Sequence, residues 1–161
     1  DLDGCLSDAS SVRSPESILG TGDYTIEFFY RPVGMNNWRT PFQIGTWNSP
    51  GGLTVIVGVS SIKVCSDMLD SGDISHGMQI NNWYHIAISR NQGNLRVYVN
   101  GSLKKSVMHS RNIYSTSPIE LFRGGGIVSP DEGNMDELRI TKGVARYTED
   151  FTPPTEPFPN N

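Results

Sequence analysis

Trp83-Tyr-His-Ile-Ala-Ile-Ser-Arg90, Asn91-Gln-Gly-Asn94, Leu95-Arg-Val-Tyr-Val99 and Asn100-Gly101 follow one another without interruption, and they decide the fold. The first run is β-branched and aromatic and reads as a strand; the second turns the chain. Leu95 to Val99 alternates apolar with polar, the period of a half-buried strand. Asn100-Gly101 is the pair most favoured where a two-residue hairpin turn needs positive φ at both positions, and Ser102 to Val107 returns. Local chemistry alone therefore sets three consecutive antiparallel strands.

Working outward, Tyr24-Thr-Ile-Glu-Phe-Phe-Tyr-Arg31 is another strand, stopped by Pro32, which has no N–H for a ladder. Thr40-Pro-Phe-Gln-Ile-Gly45, Gly52-Leu-Thr-Val-Ile-Val57 and Ser61-Ile-Lys-Val-Cys65 continue as a meander. Pro118-Ile-Glu-Leu-Phe-Arg123 and Asn134-Met-Asp-Glu-Leu-Arg-Ile-Thr141 add two more, separated by Gly124 to Gly126 and by Ser129-Pro-Asp-Glu-Gly133. About ten to twelve strands result, and no segment has the spacing of a strand–helix–strand unit. The layer rule leaves an all-β sandwich or barrel, and two packed antiparallel sheets suit the count. Gly143 to Asp150 has room for one helical turn. Residues 151–161 form a proline-rich tail, and Phe151 and Phe158 predict that it lies along the domain and buries two rings.

Composition agrees. The 161 residues include 17 Gly and 10 Pro, and alanine occurs only at Ala9, Ala87 and Ala145, which excludes a helical bundle. One domain spanning 1–161 is the size reading, since such a chain buries roughly 68–70% of its unfolded surface. A net charge of −4 argues against nucleic acid, which needs a clustered basic surface. The longest apolar stretch, Leu53 to Val59, is too short for insertion into a membrane. The chain shows no signal peptide and does not open on Met, as for a processed product, an excised domain or part of something longer. Cys5 and Cys65 are either two unrelated thiols or a bridge closing a loop of about sixty residues, worth roughly 4 kcal/mol.

Taken in order, Gly20 to Pro32, Asn82 to Arg90, Leu95 to Gly101, and Met135-Asp-Glu-Leu-Arg-Ile-Thr-Lys-Gly-Val-Ala-Arg-Tyr147 with Phe151-Thr-Pro-Pro154 resemble the laminin-G-like, concanavalin A-like jelly roll. The variant is the one common in bacteriophage tail and virion proteins. The likeness runs from about Leu6 to Phe158; the N-terminus departs from it, offering only Asp3-Gly-Cys-Leu-Ser7 where the pattern has a fuller first strand. The resemblance implies a two-sheet antiparallel jelly-roll sandwich. It also implies an extracellular, virion-surface module with one of two roles. One is binding a host cell-surface polysaccharide; the other is a structural tail or capsid decoration subunit that contacts other virion proteins, with a homo-oligomer open in either case. The architecture carries lectins, hydrolases and inert subunits alike, so function is argued from residues.

Hydrolysis by a retaining glycosidase needs two carboxylates about 5–5.5 Å apart. Glu27 stands alone between Ile26 and Phe28, and Asp136-Glu137 are adjacent and alternate in face. His76, His85 and His109 lie among many serines, but no Gly-x-Ser-x-Gly elbow accompanies them. The chain reads as non-enzymatic, with no catalytic residue assigned.

By simple alternation Asp136 shares a face with Leu138 and Ile140, with Met135, Glu137 and Arg139 on the other. A carboxylate on that core face must be paired, hydrogen-bonded or bound to a cation. It is either a structural acid or, as laminin-G-like domains often have, a calcium site completed by Asp131 and Asn134. No other cofactor is expected. Asp67, Asp70 and Asp73 read as a solvated turn.

Sugar recognition wants aromatic faces and planar polar groups on loops. Trp38 in Asn36-Asn37-Trp38, Trp47 with Asn48, and Tyr114 are the candidates, while Trp83 is expected in the core. The Gly124 to Gly126 run reads as a flexible or bulged turn.

Overall fold

A computed structural model describes residues 10–12, 19–35, 38–47, 49–67, 69–115, 117–123, 129–130 and 132–159. Their strands are β1 (Ser10–Val12), β2 (Tyr24–Arg31), β3 (Arg39–Ile44), β4 (Leu53–Val57), β5 (Ser61–Ser66), β6 (Leu69–Asp70) and β7 (Ile74–Ser75). The second half adds β8 (Tyr84–Asn91), β9 (Asn94–Val99), β10 (Ser102–Met108), β11 (Ile119–Leu121), β12 (Ser129–Pro130) and β13 (Asn134–Lys142). The two-residue strands β6, β7 and β12 bring the number above that expected. No helical turn forms at 143–150.

Two sheets face each other. One runs β10-β9-β8-β2-β13; the other runs β1-β11-β3-β4-β5-β6, with β7 also on β5 and β12 on β3. Only β12 pairs parallel among the described strands. The chain is an all-β, two-layer jelly-roll sandwich. Both hairpin turns around β9 take positive φ at their two central residues, at Gln92-Gly93 (49° and 77°) and at Asn100-Gly101 (50° and 75°).

Inward-facing residues make one core: Ile26 and Phe28 of β2 and Ile86 and Ile88 of β8 meet Phe42, Val55 and Val64 from the other sheet. Phe28 and Phe42 stack across the interior at 6.2 Å. At one end of the sandwich Arg90 is fully buried. Its guanidinium lies over the Tyr24 ring and donates to the carbonyls of Gly20, Gly22 and Arg111, so its charge is spread over three loop oxygens.

The alternation expected in β13 is overturned by a bulge. Asp136 sits opposite Phe29 and pairing resumes at Arg139 opposite Glu27, so Glu137 and Leu138 together oppose Phe28. Glu137 takes a left-handed φ of 52° to make this possible. Met135 is therefore fully buried and Leu138 and Ile140 pack on the core, while Asp136 moves to the outer face.

Candidate functional site

That outer face of the five-stranded sheet is not bare. The carboxylate of Glu27, fully buried, accepts hydrogen bonds from Arg139 Nε at 2.9 Å and from the Tyr147 hydroxyl at 2.7 Å. Arg139 also approaches it through a terminal nitrogen at 2.8 Å, and Arg146 Nε stands 3.8 Å away. His85 Nε2 is 3.3 Å from Glu27 Oε2, in ion-pair range but not aimed for a hydrogen bond. Burial raises the Glu27 carboxyl, and the neighbouring His85 ring together with the hydrogen bonds from Tyr147 and Arg139 outweighs it and holds it below its ordinary value. Glu27, solitary in sequence, is thus the hub of a charged cluster.

The chain after β13 is stitched over this cluster. Thr25 Oγ1 donates to the Val144 carbonyl at 3.0 Å and accepts from the Arg146 amide at 2.9 Å. The Tyr147 and Phe151 rings stack at 3.6 Å, and Phe151 also edges against His85 and Tyr98. The Phe151 amide donates to the Gly101 carbonyl at 2.9 Å, an approach only glycine permits, since a Cβ there would lie 1.8 Å from the Phe151 oxygen. Farther on, the Phe158 amide donates to Glu137 Oε2 at 2.6 Å, and Arg139 covers the Phe158 ring at 3.7 Å.

Between this tail and the sheet lies a cleft of about 380 Å³. Phe29 and Trp83 give it aromatic walls, Pro154 and Pro157 close it from the tail, and Asp136, Glu137 and Glu156 bring carboxylates to it. Asp136 Oδ1 accepts the Glu137 amide at 2.8 Å, whereas its enclosed Oδ2 has no partner among the described residues. Trp83 is half-buried rather than in the core: Tyr84, Ile86 and Ile88 take the inward positions of this stretch, which leaves Trp83 with the outward set, and Arg31 lies over its ring at 5.7 Å.

The residues expected to hold sugar lie elsewhere. Trp38 and Trp47 both pack on Ile56 and Cys65, on the outer side of the other sheet. Trp38 is pressed against Gly58 with the Lys63 ammonium 5.0 Å from its ring, and Trp47 Nε1 is buried without a partner among the described residues. Tyr114 is 48% exposed and lies over Gly51. Asn48 and Asp131 fall outside the described residues, as do Cys5 and the Gly124 to Gly126 run. Asn134 does not turn toward Asp136: its Oδ1 accepts two hydrogen bonds from Arg31 at 3.1 and 2.7 Å. Asp70 and Asp73 pair with Lys63, and Asp67 accepts the Gly51 amide. Cys65 is a free, buried thiol whose pKa burial pushes up to about 11.

Sequence reading placed Trp83 in the core, although a signal for a loop aromatic was present. The Asn-Asn-Trp pattern that marked Trp38 recurs at Asn81-Asn82-Trp83, where Asn81 turns with φ 64°.

Among solved structures of known proteins the fold recurs widely. Domain 4 of AbnA, an extracellular GH43 arabinanase from Geobacillus stearothermophilus solved with arabinotriose, superposes with a TM-score of 0.66 at 20% identity, over 84% of this chain and 68% of that one. The CBM40 of the Ruminococcus gnavus IT-sialidase, bound to α2,3-sialyllactose, matches with 0.63 at 11% identity, over 84% and 92%. The heptameric SAP-like pentraxin of Limulus polyphemus gives 0.63 at 14%, over 87% and 71%. At such identities these likenesses show the fold alone. No curated protein matches by sequence. The family described as the concanavalin A-like lectin/glucanases superfamily, in its laminin G form, matches residues 6–149. With nearly the whole chain matched, the protein belongs to the concanavalin A-like lectin/glucanase superfamily.

Proposed function

We propose that this chain is a non-enzymatic glycan-binding module displayed on the surface of a bacteriophage virion, where it holds a host cell-surface polysaccharide. The observation that carries the reading is the cleft beside the tail. An aromatic wall at Trp83 suits the apolar face of a sugar ring, and the exposed Glu156 among the lining residues supplies a carboxylate to accept from its hydroxyls. Its size is in the range of small-ligand sites, roughly 300–1,000 Å³. Domains of the same fold have been solved with arabinotriose and with sialyllactose, which supports glycan binding in general. The phage setting rests on the order of segments from Gly20 to Pro154.

The test is a glycan array on the purified chain, with and without calcium, repeated on Trp83→Ala and Trp47→Ala. Binding lost in Trp83→Ala supports the cleft, and binding lost only in Trp47→Ala moves the site to the Trp38–Trp47 surface. Absence of binding to any host polysaccharide, together with a stable oligomer in light scattering, overturns the proposal in favour of a structural subunit.

A further inference from the structure

We infer that the glycan held in the cleft carries a protonated amine, as an unacetylated amino sugar does; the inference rests on the glycan reading above and names its ligand class. Three carboxylates reach the cleft, from Asp136, Glu137 and Glu156, and no lysine or arginine is among the described residues that line it. Two arginines border it, and both are committed. Arg139 is held by Glu27 at 2.8 Å and lies over Phe158, which cancels its charge locally. Arg31 lies over Trp83 and donates to Asn134, a neutral partner, so its single positive charge opposes three negative ones. The cleft is left with an excess of negative charge against aromatic and proline walls. Such a site repels uronates and sialic acids and attracts an ammonium group, to which an aromatic face adds a cation–π contribution.

The backbone points the same way. Glu137 occupies a left-handed φ of 52° that a non-glycine residue adopts only at a cost, and the bulge that requires it is what brings Asp136 and Glu137 to the cleft. Asp136 takes only the Glu137 amide, on Oδ1, and its enclosed Oδ2 has no hydrogen-bond donor among the described residues, so that carboxylate adds negative charge behind the cleft wall.

The experiment is calorimetric titration of the whole chain, in low salt and mildly acidic buffer, with three trisaccharides: the glucosamine trimer, the N-acetylglucosamine trimer and the galacturonic acid trimer. The amine is expected to bind about tenfold tighter than the acetylated trimer, the order expected of several partly exposed carboxylates acting together, and the acid is not expected to bind. The preference should shrink in Asp136→Asn, in the exposed Glu156→Gln and on adding salt, while Trp83→Ala abolishes binding of every trimer. If the acetylated or acidic trimer binds as tightly as the amine and Trp83→Ala still abolishes binding, the amine inference is overturned and the glycan site stands. If no trimer binds, or Trp83→Ala changes nothing, the cleft is not a glycan site and both readings fall.

Discussion

Glu27→Gln separates a structural charge cluster from an ornamental one. The substitution keeps the shape and one amide oxygen but removes the charge that holds Arg139 at 2.8 Å and the Tyr147 hydroxyl at 2.7 Å. Glu27 is fully enclosed and the Arg139 side chain is about one-fifth exposed, so water only partly replaces what is lost. Breaking a buried pair from one side costs about 3–5 kcal/mol, because the remaining charge is stranded. For a domain of this size each kcal/mol moves the melting temperature by roughly 2–4 °C, so a fall of about 6–20 °C is expected. Differential scanning calorimetry reads it, and a cycle with Tyr147→Phe isolates the hydroxyl, since the two substitutions share one hydrogen bond and must be non-additive. Limited proteolysis should then find the chain after Lys142 cleaved earlier than the sandwich. A melting temperature within about a degree of the parent, or full additivity with Tyr147→Phe, refutes the cluster as the fastening of the tail.

Three other outcomes follow from the same geometry. Gly101→Ala drives a Cβ into the Phe151 carbonyl and should cost about 2 kcal/mol or more and free the tail to protease, whereas Gly72→Ala, at φ 78° with open space around it, costs only the backbone strain; equal losses by urea unfolding would count against the close approach. Burial lowers the pKa of His76 and of His109, so as the pH falls below about 6.5 the unfolded chain takes up protons first; stability is full above that value and declines below it, with Glu27 adding a further loss below about 4.3, and a flat profile of melting temperature from pH 7 to pH 4 would contradict this. Trp47→Ala removes a half-buried ring from Ile56 and Cys65 and should cost about 1–2 kcal/mol by chemical denaturation; a loss above about 3 kcal/mol would make it a core residue.

The strands were legible because they rest on neighbours in sequence. Asn100-Gly101 needs no distant partner to turn, and Leu95, Val97 and Val99 reach the core by alternation alone. The site was not legible for the opposite reason. Glu27 meets Arg139 and Tyr147 across separations of 112 and 120 residues, and no local pattern announces such a meeting. Asp136 failed differently: one inserted residue at Glu137 shifted a period-two pattern by one, and a one-residue shift sends every later side chain to the other face. Alternation counted across a bulge is wrong on one side of it, and nothing in Met-Asp-Glu-Leu-Arg marks where the count should restart.

The bulge and the charge cluster are also one arrangement seen from two sides. Because pairing resumes at Arg139, that arginine faces outward beside Glu27 instead of into the core, and there it both fastens Tyr147 through the shared carboxylate and covers Phe158. Because Glu137 is the inserted residue, its carboxylate is free to accept the Phe158 amide and so to fix the far end of the tail. Pro154 and Pro157 lie between these two anchors, with few backbone donors to satisfy and little freedom to lose, which makes them a stiff wall opposite Trp83. A β13 strand without the extra residue would send Arg139 inward and take from Glu27 its nearest ion pair, loosening the tail. The near wall of the cleft therefore depends on the cluster, and acid that protonates Glu27 should loosen the tail, read as faster proteolysis after Lys142 than at neutral pH.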